Sequence, residues 1–268
     1  TLSLNKESPL SEVKPRVSGF FNTRLTQEQS EAVKLIKKVA TGHRNRPFVL
    51  TADRGRGKSS ALAIAAADLL KNNLKDKQAN PLNIMVTAPT VGNLDVFFKQ
   101  LVHCLPEGKL DKFGFNYFGL LVNFVPIDKL VNEPIDAGVL FVDEAAAIPV
   151  YLLTKLLNQY HRIAFSSTVH GYEGAGRGFT LKFYKVLDKK VPGWKHLHIE
   201  QPIRWYENDP LEQFMFDTCL LKAELSDFSQ NVECNEHYKT ALKFEQHSTE
   251  QLLENERLLS QIFSTLVT

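Results

Sequence analysis

The sequence predicts an α/β fold, a three-layer sandwich with helices on both faces of a parallel sheet. Two observations carry this. Short apolar runs without polar alternation recur along the chain, each followed by a stretch of helical period, which is how strands buried on both faces read. A glycine- and lysine-rich loop, "ADRGRGKS" (52–59), joins one such run to a helix, at the kind of junction where α/β sheets bind anions.

Taken in order, residues 1–24 lack sustained periodicity and contain Pro9, Pro15 and Gly19, so they read as an extended lead-in or linker. From Thr26, apolar residues recur at threes and fours (Ala32, Val33, Ile36, Val39, Ala40) until Thr41-Gly42 ends the run. "PFVLTA" (47–52) is a strand, followed by the glycine loop and the helix "SSALAIAAADLLKNNL". "LNIMVTAP" (82–89) is a second strand, with the helix "TVGNLDVFFKQLVHCL" after it. The alternation continues through "GVLFVDE" (138–144), "PVYLLTKLLNQY" (149–160), "RIAFSST" (162–168) and "FTLKFYKVL" (179–187), then "HLHIEQPIRW" (196–205) and a helix over 210–221. Residues 224–247 are polar and irregular, and "STEQLLENERLLSQIFSTLV" reads as an amphipathic helix started by a Ser248/Gln251 capping box. The expected domains are therefore a lead-in (1–24), an α/β domain carrying the glycine loop (25–221) and a linker running into another domain (222–268).

Composition narrows the class. The 268 residues are 43% hydrophobic and 23% charged, which supports a real core. No apolar run reaches the ~20 residues of a membrane span and the N-terminus resembles no signal peptide, so a cytoplasmic protein is expected. Cys104, Cys219 and Cys234 are odd in number and far apart, which fits buried thiols rather than disulfides or a metal knuckle. Formal charge is +2 in total, with −4 in residues 222–268 and +6 in residues 1–221. A basic excess of that kind suits a polyanion such as RNA.

A phosphate-binding loop needs convergent backbone N–H groups, small residues for close approach, a lysine for the β- and γ-phosphates and a hydroxyl for Mg²⁺. Ala52, Gly55, Gly57, Lys58 and Ser59 supply A-x-x-G-x-G-K-S. Ala52 stands where the general pattern has glycine, the alternative found in helicase-type domains. The sheet is thus expected to be that of a P-loop NTPase of RecA/helicase-like type. "VLFVDEAAAIP" adds the second requirement: Asp143 to hold Mg²⁺ with Ser59, and Glu144 to orient and deprotonate the attacking water. Lys58, Asp143 and Glu144 are the expected catalytic residues.

Three elements leave alternatives open. Gln29 suits the edge of adenine, yet with Thr26 it also forms a T-x-x-Q capping box. "SSTVHGYEGAGRGF", with His170 and Arg177, reads as a loop over 168–178 that senses the γ-phosphate, grips RNA or merely links. Arg204 is either a charge-stabilising arginine or a surface salt-bridge partner.

Together "LTADRGRGKSSALA", "FVDEAAAIP", "STVHGYEGAGRGF" and "QPIRWYENDPLEQF" resemble the ATPase module of the tRNA(Met) cytidine acetyltransferase family over residues 25–220. The resemblance implies a helicase-like domain fused to an acetyl-CoA-dependent acetyltransferase, which uses ATP and Mg²⁺ to acetylate the wobble cytidine of elongator tRNA(Met). It assigns ATP contact to Gln29, to Gly55, Arg56, Gly57, Lys58, Ser59, Ser60, Ala61, Leu62, Ala63 and Ile64, and to Arg204. It also implies that acetyl-CoA binds only in a downstream domain beginning near "LLSQIFSTLVT", so that these residues alone do not acetylate. Two other readings compete: a nucleic-acid-dependent ATPase or translocating helicase, against which only one set of phosphate motifs stands, and a nucleotide-gated RNA-binding adaptor, against which Glu144 stands.

Overall fold

The computed structural model describes residues 25–76, 78, 80–112, 114–169, 175–221 and 244–267, the side chains of 175–178 and 267 excepted. The lead-in (1–24), residues 170–174 of the glycine-rich segment, the Arg177 side chain, residues 222–243 and Cys234 lie outside them.

Helix α1 (Gln27–Thr41) is followed by β1 (Phe48–Ala52), α2 (Lys58–Lys75), β2 (Asn83–Thr87) and, after a 3₁₀ turn (Val91–Leu94), α3 (Asp95–Cys104). Next come β3 (Lys109–Leu110), β4 (Gly114–Tyr117), β5 (Leu120–Phe124), α4 (Ile127–Asn132), β6 (Val139–Val142), α5 (Val150–Gln159) and β7 (Ile163–Thr168). Then follow α6 (Ala175–Lys190), β8 (Lys195–Ile199), α7 (Pro210–Thr218), α8 (Thr249–Glu254) and α9 (Glu256–Val267).

The strands form one sheet in the order β3-β4-β5-β2-β6-β7-β1-β8. From β5 to β8 every pairing is parallel. The expectation of a wholly parallel sheet is corrected at one edge, where β3, β4 and β5 run antiparallel. A two-residue turn, Phe118-Gly119, joins β4 to β5, with φ of 50° and 89°. Such a hairpin needs no crossover helix, so it leaves no helical period in the sequence to announce it.

Strand residues alternate between two cores, as a pleated sheet covered on both faces requires. Phe48, Leu50, Ile84, Val86, Val139 and Phe141 pack with α1, α2 and α3. Val49, Met85, Leu140, Val142, Ile163 and Phe165 pack with α4, α5 and α6. This is the three-layer arrangement expected. Two helices depart from expectation. α6 begins at Ala175, so the end of the supposed 168–178 loop is already helical, and the C-terminal helix is broken at Asn255 into α8 and α9, although its Ser248/Gln251 capping box is present. Cys104 and Cys219 are free and only partly buried. No helix among the described residues is long and apolar enough to cross a membrane.

Candidate nucleotide-binding site

The parallel strands end on one side of the sheet, and the site residues follow from where each strand stops. β1 ends at Ala52, and the chain turns through Gly55 (φ 79°) and Gly57 (φ 81°) into α2. These left-handed conformations need glycine. At Gly55 the ring of Trp205 also fills the side-chain space, since a Cβ there would lie 2.5 Å from Trp205 Cη2. Gly57 caps α2 without a side-chain hydrogen bond. The first-turn N–H groups of an 18-residue helix are thus left for a ligand, with the positive end of the dipole behind them.

Lys58 and Ser59 open this helix beneath the ends of β6 and β7. Lys58 is buried, and its Nζ donates to Thr168 Oγ1 at 2.9 Å and to Ala52 O at 3.5 Å. Thr168 in turn donates to Glu144 Oε2 at 3.0 Å, so lysine, threonine and glutamate form one chain. Burial holds the Lys58 ammonium below its usual pKa, opposed by the charges of Glu144, Asp143 and Asp53.

Asp143 follows β6 and is fully buried. Its Oδ1 accepts from Ser166 Oγ and, at 3.0 Å, from the Glu144 N–H. Oδ2 is buried with no hydrogen-bond partner. Burial raises the carboxyl pKa, the Ser166 and Ser59 hydroxyls pull it back, Glu144 pushes it up again and Lys58 lowers it. An orphaned carboxylate oxygen of this kind costs about 1–3 kcal/mol. A divalent cation between Ser59 and Asp143, or its bound water, would satisfy it, so these residues fit Mg²⁺. Glu144 itself sits at φ 49°, ψ 46°. That is left-handed backbone in a non-glycine residue, costing about 1–2 kcal/mol, of the kind that gathers at functional sites.

The other expected residues divide. Arg204 is exposed beside the loop, because the Ile203 N–H donates to Gly55 O at 3.2 Å. The Gln29 amide bonds within the chain: Oε1 accepts the Thr26 N–H at 3.1 Å, completing the capping box, and Nε2 donates to Arg56 O at 3.4 Å. The Arg56 side chain turns to the segment after β8 and to α7. Its guanidinium donates to Glu200 O (2.9 Å), pairs with Glu212 (2.6 Å) and lies 5.5 Å from the centre of the Trp205 ring. Ala61, Leu62 and Ala63 are fully buried in the core and Ile64 packs against it, so their side chains are structural. Ser60 is half-buried on the first turn. Ser166 and Thr168, not among the expected ligands, belong to the site. The available signal was the hydroxyl-rich "SST" ending a strand beside the acidic one.

Residues 49–222 match the RNA cytidine acetyltransferase NAT10/TcmA helicase domain. The chain belongs to this family. It is 43% identical over 242 residues to the tRNA(Met) cytidine acetyltransferase TmcA of Nitrosococcus halophilus, an alignment covering 90% of this chain and 31% of that protein. It is 40% identical over 247 residues to the TmcA of Vibrio cholerae, covering 92% of this chain and 33% of that protein. The chain thus spans about a third of the length of these relatives. Its fold is also that of a large terminase from a thermophilic bacteriophage, with a TM-score of 0.52 and 14% identity over 72% of this chain and 50% of that one. The glycine loop, the acidic pair and the "SST" strand end all fall within the residues that match the helicase domain.

Proposed function

We propose that residues 25–221 bind and hydrolyse ATP for a cytoplasmic RNA cytidine acetyltransferase, whose acetyl-CoA-dependent transfer to the wobble cytidine of elongator tRNA(Met) takes place elsewhere in the enzyme. The observation that carries this reading is the chain Lys58–Thr168–Glu144 beside a buried Asp143 with one free oxygen.

The N–H groups opening α2 would hold the β-phosphate, and Lys58 would exchange Thr168 and Ala52 for γ-phosphate oxygens. Ser59 and Asp143 would hold Mg²⁺, which supplies charge neutralisation on the phosphates. Glu144 orients water against the γ-phosphorus and takes its proton as the bond to the β–γ bridging oxygen breaks, leaving ADP and inorganic phosphate. Thr168, bonded to both Lys58 and Glu144, registers whether a γ-phosphate is present. Exposed Arg204 lies where it can swing onto the phosphates.

Phosphate release by the wild type and Glu144→Gln, with and without tRNA, tests the reading. The variant is expected to bind ATP normally and turn over about 10²–10⁴-fold more slowly. Equal rates would remove hydrolysis and leave a nucleotide-gated RNA adaptor.

A further inference from the structure

Along β7, β1 and β8, the end of the sheet where the parallel strands begin, opposite the glycine loop, concentrates positive charge. Three connections meet there. Asn45 N–H donates to His161 O at 2.9 Å, Arg162 Nη2 to Gly42 O at 3.3 Å, and Lys195 N–H to Pro47 O at 3.0 Å. Arg46 lies along Gly193, where a Cβ would sit 3.5 Å from Arg46 Cγ. Arg44, Arg46, Lys189, Lys190 and Lys195 are exposed and Arg162 is half-buried. None of the six forms an ion pair among the described residues. The stretches 42–47, 158–163 and 189–195 contain no acidic residue, and neighbouring Asp188 accepts the Trp194 Nε1–H at 2.8 Å.

The concentration is larger than the balance of the whole module. Residues 25–221 carry a formal +4 and these three stretches alone +6, so the rest of the module, with Glu133 and Asp136 before β6, is net negative. The C-termini of α1, α5 and α6 open here, and cations in a last helical turn gain about 0.3–1 kcal/mol from the dipole. That accounts for Lys189 and Lys190, which are in the last turn of α6. It does not account for Arg44 and Arg46, on a loop past the end of α1, or for Lys195 on an edge strand. The cations stand on firm backbone, since Trp194 packs on Tyr184 with ring centres 4.8 Å apart.

We propose that this end of the sheet is a docking surface for the phosphate backbone of RNA, on the far side from the ATP site. It rests on the RNA partner of the preceding reading. Bound there, RNA leaves the nucleotide loop clear, and the module grips backbone rather than reading bases.

The test is binding of a tRNA transcript to the whole chain over a range of salt, for the wild type, Arg44→Ala/Arg46→Ala, Lys189→Ala/Lys190→Ala, Lys195→Ala and their combination. Each lost phosphate contact should flatten the log–log salt slope by about one. The combined variant should bind about tenfold or more weakly, with RNA-independent phosphate release unchanged. Wild-type affinity and slope in the combined variant would overturn the proposal, and an accompanying fall in melting temperature would assign these cations to the helix ends alone. So would weakened adsorption to anionic vesicles with tRNA binding intact. A wild-type chain that binds no tRNA would sink the RNA reading itself, and this surface with it.

Discussion

At two residues the ligand-free site works against folding. Asp143 has a raised pKa in the folded chain, so its contribution is most favourable below pH 3.8 and is lost as pH rises through the folded value. Lys58 has a lowered pKa, so its contribution is most favourable above pH 10.5 and is lost as pH falls through the folded value. Each charged form is thus opposed by its own burial. Asp143→Asn keeps the Oδ1 acceptor and removes the buried charge. It should raise the melting temperature of the ligand-free chain by roughly 2–4 °C, equivalent to about 1 kcal/mol, and abolish Mg²⁺-dependent phosphate release. Calorimetry without nucleotide measures the first effect, and a lower melting temperature would contradict it. Arg56 carries the opposite expectation. Its planar fork serves Glu200 O and Glu212 at once, which a lysine cannot reproduce. Arg56→Lys should cost about 1–3 kcal/mol in urea unfolding, whereas exposed Arg204→Ala should leave stability within about 0.5 kcal/mol and lower only the hydrolysis rate.

Two elements hold non-glycine residues in left-handed backbone, with different consequences. Glu144 ends β6 in that conformation, and there it places a carboxylate against Thr168. Phe118, at φ 50° in the β4–β5 turn, is 66% exposed and touches neighbouring Tyr117. A turn with positive φ at both positions prefers Asn-Gly. Phe118→Asn should therefore stabilise the hairpin by about 0.5–1 kcal/mol, read as a higher denaturant midpoint with an unchanged slope. A lower midpoint would mean that Phe118 packs usefully after all. The segment after β8 works as a strap. Glu200 and Gln201 donate their N–H groups to Glu28 of α1 at 2.9 and 3.0 Å, and Ile203 and Trp205 lie on the glycine loop. The loop is thus clamped between α1 and the segment after β8.

For the molecule as a whole, the sheet gathers the groups of the candidate site at the strand ends, and the buried Asp143 Oδ2 has no hydrogen-bond partner there. Saturating nucleotide with Mg²⁺ should therefore stabilise strongly. At a hundred times the dissociation constant the gain is about 2.7 kcal/mol, or roughly 5–10 °C in melting temperature for a chain of this size. Chelating Mg²⁺ should remove much of it, because the buried Asp143 oxygen then loses its partner. A melting temperature indifferent to nucleotide would leave the site without its proposed ligand.

The sequence by itself determined the parallel core, the glycine loop and the acidic strand end, because each rests on local spacing. Continuous apolar runs mark strands covered on both faces, and Gly-Lys-Ser at a strand–helix junction has few other uses. Only the tertiary structure decided which side chains meet one another around the glycine loop. In "GRGKS" every residue is equally close along the chain, yet Lys58 turns up to Thr168 while Arg56 turns down to Glu212, a partner 156 positions later. Gln29 spends its amide on a cap and a loop carbonyl, and Thr168 joins lysine to glutamate because β7 lies between β1 and β6. Those assignments depend on strand order and on distant side chains competing for the same polar atoms, and neither is written in the spacing of nearby residues.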